Sequence, residues 1–323
     1  MMEKKIVFIS WAPYCSRSDT LARRFGGESI KVHFLGFRNA WHAPLKYLMQ
    51  FFSTLATLFQ RKPDIVFVMN PPVFAPLTVW LYCALMKKSF IMDSHTGSFL
   101  EPKWVRFEKM HAFIAKRARV SIVTNKFLAD KVASFGGKFF IIPDVPVEFD
   151  TPKISNLSHP HITVVNTFAA DEPVEAILGA AALLPQVNFS VTGNLKHASK
   201  QLLAQKPVNL NFTGFLSNED YVGLLAGSDA VLVLTTTDFT MQRGAYEAMS
   251  LGVPVITSDW ELLRSTFYKG TVYVDNSVQG IASGINLLLQ NAEKYKGEIK
   301  ELKVERRKLW TELEVNFKKA YLD

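Results

Sequence analysis

Cysteine is scarce: Cys15 and Cys83 are the two in 323 residues. They stand far apart and without metal-ligand spacing, which argues against a disulfide framework and suits a reducing compartment. No G-x-G-x-x-G sequence follows the first strand, which argues against a nicotinamide cofactor, and no Walker A sequence occurs. Low-complexity tracts and internal repeats are missing. So is a long unbroken apolar run. Residues 65–86, "IVFVMNPPVFAPLTVWLYCALM", carry no charge, and their length alone would suggest a membrane span. Asn70-Pro71-Pro72 and Pro76 interrupt them, so a strand at 65–69, a loop and a buried helix at 77–86 explain them better. The start, "MMEKKIVFISWAPYC", has too short an apolar run for a signal peptide and reads as a first strand.

What is present is ordinary globular material. Hydrophobic residues make up 48% and charged residues 20%, and the length suits two domains with sizeable cores. The charge is uneven. Residues 1–150 hold 21 Lys and Arg against 11 Asp and Glu, whereas residues 151–323 hold 16 against 18. The basic character therefore belongs to the N-terminal half, where a patch could face phosphates, nucleic acid or an anionic membrane surface.

Hydrophobic periodicity gives strands alternating with helices through the first half: "KKIVFIS", "IKVHFLG", "DIVFVMN", "SFIMD", "RVSIVT" and "KFFIIP" are strands separated by helical stretches. This order implies parallel βαβ units with right-handed crossovers. The stretch "DVPVEFDTPKISNLSHPH", residues 144–161, has no period and is rich in Pro, Ser and Asp. The alternation then restarts with "ITVVNTF" and runs to a charged helical tail. The expected fold is α/β, with two doubly wound Rossmann-like domains facing a cleft. The expected bounds are 1–150, a linker at 151–161, a second domain at 162–300 and a C-terminal helix at 301–323. Ligands of such sheets bind beyond the carboxyl ends of the strands, which selects the loops to read.

The loop "TTTDFTMQRGAY", residues 235–246, follows a buried strand and enters a helix near Gly244. Free N–H groups at a helix start attract anions, and Arg243 offers a forked cation that matches phosphate oxygens. Gly244 permits close backbone approach. Glu247, one turn in, either meets a hydroxyl pair such as that of a ribose or merely complements the helix dipole. In the loop "SWAPYCSRSD", Ser16 or Ser18 can cap the following helix, and Arg17 either meets a phosphate or an acceptor group or is solvated. Asp93 and His95, in "MDSHTGSF", sit at the end of a buried strand, where a group lining the cleft belongs. In "NTFAADEPVEA", Pro173 fits a first helical turn and Asp171 a cap.

The block "RGAYEAMSLGVPVITSD" resembles the second-domain motif of retaining glycosyltransferases of GT-B fold, family 4-like: Glu-Ala-Met, then Gly-x-Pro-Val-Ile and Ser-Asp. "VNFSVTGN" and "NFTGFLSNEDYVGLLAGSDAVLVLT" are similar to the same family, and the likeness covers most of residues 160–290. The resemblance implies a nucleotide-sugar donor, with Glu247 on its ribose. Gln242, Arg243, Gly244 and Ala245 would then lie against sugar and phosphates, and the turn with Thr192 and Gly193 beside the base. His95 would lie near the transferred sugar. It also implies transfer on one face of the sugar, the departing phosphate helping to deprotonate the acceptor, with no metal and no other cofactor. No Asp-x-Asp of the metal-using fold and no Asp/His general-base pair stands out.

Two departures from the family are visible. A second Glu usually stands eight positions before the first; here the position is Phe239, with Asp238 beside it as the substitute carboxylate. An Arg and a Lys usually follow the first strand of the second domain, and "NTFAADEPVEA" has neither. Arg243 and Arg17 are the substitutes expected to neutralise the donor phosphates. Ser16 and Asp93 are assigned to the acceptor side.

The helix read at 43–62 is apolar around most of its circumference and suits a core; with Trp41 just before it, its Phe51, Phe52 and Phe59 beside Arg61 and Lys62 also suit shallow membrane contact, and the basic helix read at 103–119 adds charge. Neither segment has the stacking platform of a nucleic-acid module. The expectation is a cytoplasmic glycosyltransferase of hexosyltransferase type, peripheral on the inner face of the membrane. Its acceptor would be a lipid-linked or cell-envelope glycan. The alternatives are a non-catalytic GT-B-like subunit that recruits a partner, and a nucleotide-sugar epimerase. A periplasmic sugar-binding protein is disfavoured by the missing signal peptide.

Overall fold

The computed structural model describes residues 4–35, 40–149 and 153–323. The strands are β1 (Ile6–Ser10), β2 (Glu28–Lys31), β3 (Ile65–Asn70), β4 (Ser89–Ser94), β5 (Val120–Val123), β6 (Phe139–Ile141), β7 (His161–Val164), β8 (Asn188–Thr192), β9 (Leu210–Gly214), β10 (Ala230–Val233), β11 (Val255–Ser258) and β12 (Thr271–Val274). The helices of the first half are α1 (Ser16–Phe25), α2 (Ala43–Arg61), α3 (Phe74–Met86), α4 (Gly97–Leu100), α5 (Pro102–Val105), α6 (Glu108–Ala115) and α7 (Lys126–Ser134). Those that follow are α8 (Val174–Leu183), α9 (Lys200–Ala204), α10 (Asn218–Gly227), α11 (Arg243–Leu251), α12 (Glu261–Thr266), α13 (Val278–Gln290) and α14 (Ala292–Phe317).

The strands form two six-stranded parallel sheets, ordered β2-β1-β3-β4-β5-β6 and β12-β11-β10-β7-β8-β9. Each is a Rossmann-like layer, so the expected pair of doubly wound domains is present. The sequence shows why. β1, β3, β5, β7, β10 and β11 are short runs without charged Lys, Arg, Asp or Glu, buried at every position, as a sheet covered on both faces requires. The edge strands β2, β6 and β9 are partly exposed. Strand order reverses between β1 and β3, and again between β7 and β10. The loops leaving those strands are where such sheets hold ligands.

The chain divides into two compact units, Met1–Val145 with Trp310–Asp323, and Pro146–Leu309. Residues 153–158 of the stretch read as a linker belong to the second unit, where Ser155 N donates to Gly223 O at 3.1 Å. The helix read at 301–323 is the end of the longer α14. Its Ile299 and Leu302 fill the core of the second unit; its Trp310 and Phe317, with Leu322 just beyond it, fill that of the first.

Two local expectations change. The basic stretch 103–119 is not one helix: Phe107, with φ −102° and ψ 18°, interrupts it between α5 and α6. Neither Ser16 nor Ser18 caps α1. Cys15 holds the N-cap position without a side-chain cap, and its Sγ lies 3.1 Å from Ser18 Oγ. Among the described residues no helix is long and apolar enough to cross a membrane.

Candidate functional site

In the second unit the loop after β10 leads into α11. Its start is clamped: Thr235 N donates to Ser258 Oγ at 2.9 Å, and Thr235 O accepts from Trp260 Nε1 at 2.9 Å and Asn276 Nδ2 at 3.1 Å. Asp171 joins this loop to the one after β7, accepting from Thr235 Oγ1 at 2.8 Å while its carbonyl accepts from Thr236 N at 2.7 Å. Asp171 therefore bridges two loops at the strand reversal rather than capping α8, whose N-cap is Pro173.

Glu247 lies one turn into α11, its side chain 12% exposed. Its Oε1 accepts from Arg243 Nε at 2.8 Å, and its Oε2 from the Tyr221 hydroxyl at 2.7 Å. Burial and the neighbouring Glu247 carboxylate push the Tyr221 phenol far up, so it stays a donor. Each carboxylate oxygen retains a second acceptor direction. Arg243, by contrast, is more than half exposed. Gly244 and Ala245 are buried. A Cβ on Gly244 would lie 2.8 Å from Val165 Cγ1, so this glycine lets α11 close onto the chain leaving β7. The close approach read as one to a ligand is made to Val165, and the Ala245 side chain is part of the core. Gln242 is the N-cap of α11, its carbonyl accepting from Ala245 N at 3.2 Å. Asp238 accepts from Phe239 N at 2.6 Å.

The loop after β7 is closed by its own acid. Glu172 Oε2 accepts from Thr167 N and Ala169 N, both at 2.9 Å, and Thr167 Oγ1 donates to Glu172 Oε1 at 3.1 Å. Beside it, buried Thr192 donates from Oγ1 to Val164 O at 3.3 Å, joining β8 to β7. Gly193 has φ +124°, and a Cβ there would meet Asn166 O at 2.5 Å, so the turn after β8 accepts no side chain.

In the first unit Arg17 is not available to a donor phosphate. Its side chain is 9% exposed and spent within the unit. Nε donates to Asp93 Oδ1 at 3.1 Å, Nη1 to Asp144 Oδ1 at 3.0 Å, and Nη2 to Ile142 O at 2.8 Å. It ties the start of α1 to the end of β4 and to the chain just after β6. Burial would raise the Asp93 pKa, but Arg17 and His95 hold it down at about 2. His95 Nε2 lies 3.2 Å from Asp93 Oδ2. An Asp/His pair is thus present where none stood out in the sequence, because the two side chains meet only when β4 ends and the chain turns. With Nε2 donating to the carboxylate, Nδ1 becomes the acceptor nitrogen. His95 borders a cavity of about 310 Å³, lined also by Tyr14, Cys15, Ser16, Arg17, Met69 and Asp144. Ser16 and His95 therefore share this cavity, with Asp93 bonded to His95 and Arg17, whereas Asp238, Arg243 and Glu247 belong to the second unit.

Sequence reasoning missed Tyr221, Glu172 and Asp144. Tyr221 stands within "SNEDYVGLLAG", four residues after the Ser217 cap of α10, but nothing local shows that α10 packs against α11.

Residues 149–303 match the family described as glycosyl transferases group 1. None of the curated proteins matches the chain. Among solved structures, Anabaena HepE in complex with UDP and glucose is similar at 15% identity and a TM-score of 0.73, covering 98% of this chain and 99% of that one. Sucrose-phosphate synthase from Thermosynechococcus elongatus is similar at 12% identity and a TM-score of 0.77, with 98% of each chain covered. A glycosyltransferase from Rickettsia africae is similar at 12% identity and a TM-score of 0.67, again over 98% of each.

Proposed function

We propose that the chain is a glycosyltransferase whose second unit, most of which matches the group 1 family, holds a nucleotide-sugar donor through Glu247. The observation that carries the reading is the Glu247 carboxylate, fixed by Arg243 and Tyr221 and with acceptor capacity left for a ribose hydroxyl. Arg243, largely exposed, would meet the diphosphate. HepE, of similar fold, is described with UDP and with UDP-glucose, which puts uridine first among the bases to try.

The sugar goes to a lipid-linked or cell-envelope glycan held by the first unit, at the inner face of a membrane. Transfer proceeds with retention, the departing diphosphate taking the acceptor proton, and without a metal ion. Donors already aimed at the developing charge are worth about 3 kcal/mol each. The Asp93–His95 pair favours a second reading, in which His95 Nδ1 accepts the acceptor's proton and transfer inverts the sugar carbon. The anomeric configuration of the product, read by NMR, separates the two.

The deciding experiment is thermal unfolding of wild type and Glu247→Ala with UDP, GDP, ADP and TDP. A ligand at 100 times its Kd adds about 2.7 kcal/mol of stability. One nucleotide raising the midpoint of wild type alone is the expected result. No shift from any nucleotide removes Glu247 as a ribose ligand and favours a recruiting subunit.

A further inference from the structure

Helix α2 is apolar on its outer side as well as on the side that packs on the core. Its buried residues are Lys46, Gln50, Thr54 and Leu58, three of the four polar. Thr54 Oγ1 accepts from Trp11 Nε1 at 2.8 Å, and Gln50 Nε2 donates to Val32 O at 2.7 Å. Leu45, Leu48, Phe52, Ala56 and Phe59 are exposed, Phe52 by 61%. Their spacing places them along one stripe of the helix. Trp41, just before the helix, is 92% exposed. An ordinary surface helix is polar on its outer side. Of the aromatics read from the sequence, Phe51 is turned inward against the core and does not belong to this face.

The face continues beyond α2. That helix packs on α3, which leaves Leu81 and Leu85 exposed, Leu85 by 70%. α3 in turn packs on α6, which exposes Phe113, with the Arg117 guanidinium 3.6 Å from its ring centroid. Residues 41–117 contain ten Lys or Arg against four Asp or Glu. Arg61, Lys62, Lys87, Arg106 and Lys109 are all exposed.

We propose that the outer face of α2, with the exposed side of α3, inserts shallowly into an anionic phospholipid surface, its aromatic and aliphatic side chains in the acyl boundary and the surrounding Lys and Arg on the headgroups. It rests on the part of the proposed function that places the acceptor at a membrane, and is independent of the donor site. Charge selects lipid over a second copy of the chain: a symmetric contact would set this basic surface against itself. An anionic bilayer supplies both the apolar depth and the opposite charge.

The test is co-sedimentation of the full chain with phosphatidylcholine vesicles, with and without phosphatidylglycerol, at low and high salt. The variants are Leu48→Glu with Phe52→Glu, and Phe52→Ser alone, all at exposed positions. Wild type is expected to bind the anionic vesicles, to be weakened by salt, and to lose about tenfold or more in partitioning in the double variant. Nucleotide-dependent thermal stabilisation is followed on the same samples. Vesicle binding that depends on Leu48 and Phe52 without any nucleotide response upholds the lipid face while the donor reading fails. Binding unchanged in the double variant overturns the proposal. So does failure to bind vesicles together with a salt-insensitive dimer that Phe52→Ser dissociates, which would make the face a contact between copies.

Discussion

At the scale of single residues, the loop after β7 holds an anion of its own. Two backbone N–H groups converge on Glu172, in the loop where the resemblance leads one to expect cations. If donor phosphates lie near this loop, Glu172 opposes them. Glu172→Gln keeps an acceptor for Thr167 N and Ala169 N but removes the charge. The expected outcome is nucleoside diphosphate binding about fivefold tighter by isothermal titration, since an exposed charge pair is worth about 1 kcal/mol. Unchanged or weaker binding would place the phosphates elsewhere. Residues of this kind mark the limit of reading a sequence. The Arg243–Glu247 pair is legible because its two residues stand one helical turn apart. Arg17 misleads because Asp93, Asp144 and the Ile142 carbonyl, 76 to 127 positions away, capture it only after the sheet has formed.

At the scale of elements, helix and strand types follow from periodicity, whereas polar seams between them do not. His111 of α6 illustrates this. Its Nε2 lies 3.1 Å from Asn70 Nδ2 of β3 and 3.4 Å from Ser94 Oγ of β4, and its ring packs on Phe99 with centroids 4.7 Å apart. Burial pushes its pKa down from 6.5 to about 4, so it folds neutral. The unfolded chain takes up this proton below about pH 6.5 and the folded chain does not until about pH 4. Its contribution is therefore complete above the first value and lost progressively between the two, by about 3 kcal/mol in all. Urea midpoints of wild type should fall across that window. His111→Gln, which cannot titrate, should be less stable near neutrality yet show a flatter pH dependence. Parallel slopes for the two proteins would assign the acid sensitivity to other groups. The outer stripe of α2 was equally hidden: the sequence shows a helix apolar around most of its circumference, and only the packing of Gln50, Thr54 and Leu58 shows which side faces in.

At the scale of the whole molecule, chain order and folding unit part company at the C-terminus. The tail is charged enough to read as a solvated helix, but Trp310, Phe317 and Leu322 complete the core of the first unit. Phe317 is fully buried, with ring centroids 5.0 Å from Phe25 and 5.2 Å from Phe140. The Lys4 ammonium, near the other end of the chain, donates to Asp323 O at 2.7 Å. The first unit is therefore completed by residues that follow the second unit in the chain, and its stability depends on them. Phe317→Ala removes a core aromatic, a change that costs about 3–5 kcal/mol. In calorimetry, the transition of the first unit should fall by several degrees. The transition that responds to nucleotide should keep both its midpoint and its response, since Glu247, Arg243 and Tyr221 belong to the second unit. An equal fall in the nucleotide-responsive transition would show that the two units unfold as one and that the aromatic cluster of the tail supports both.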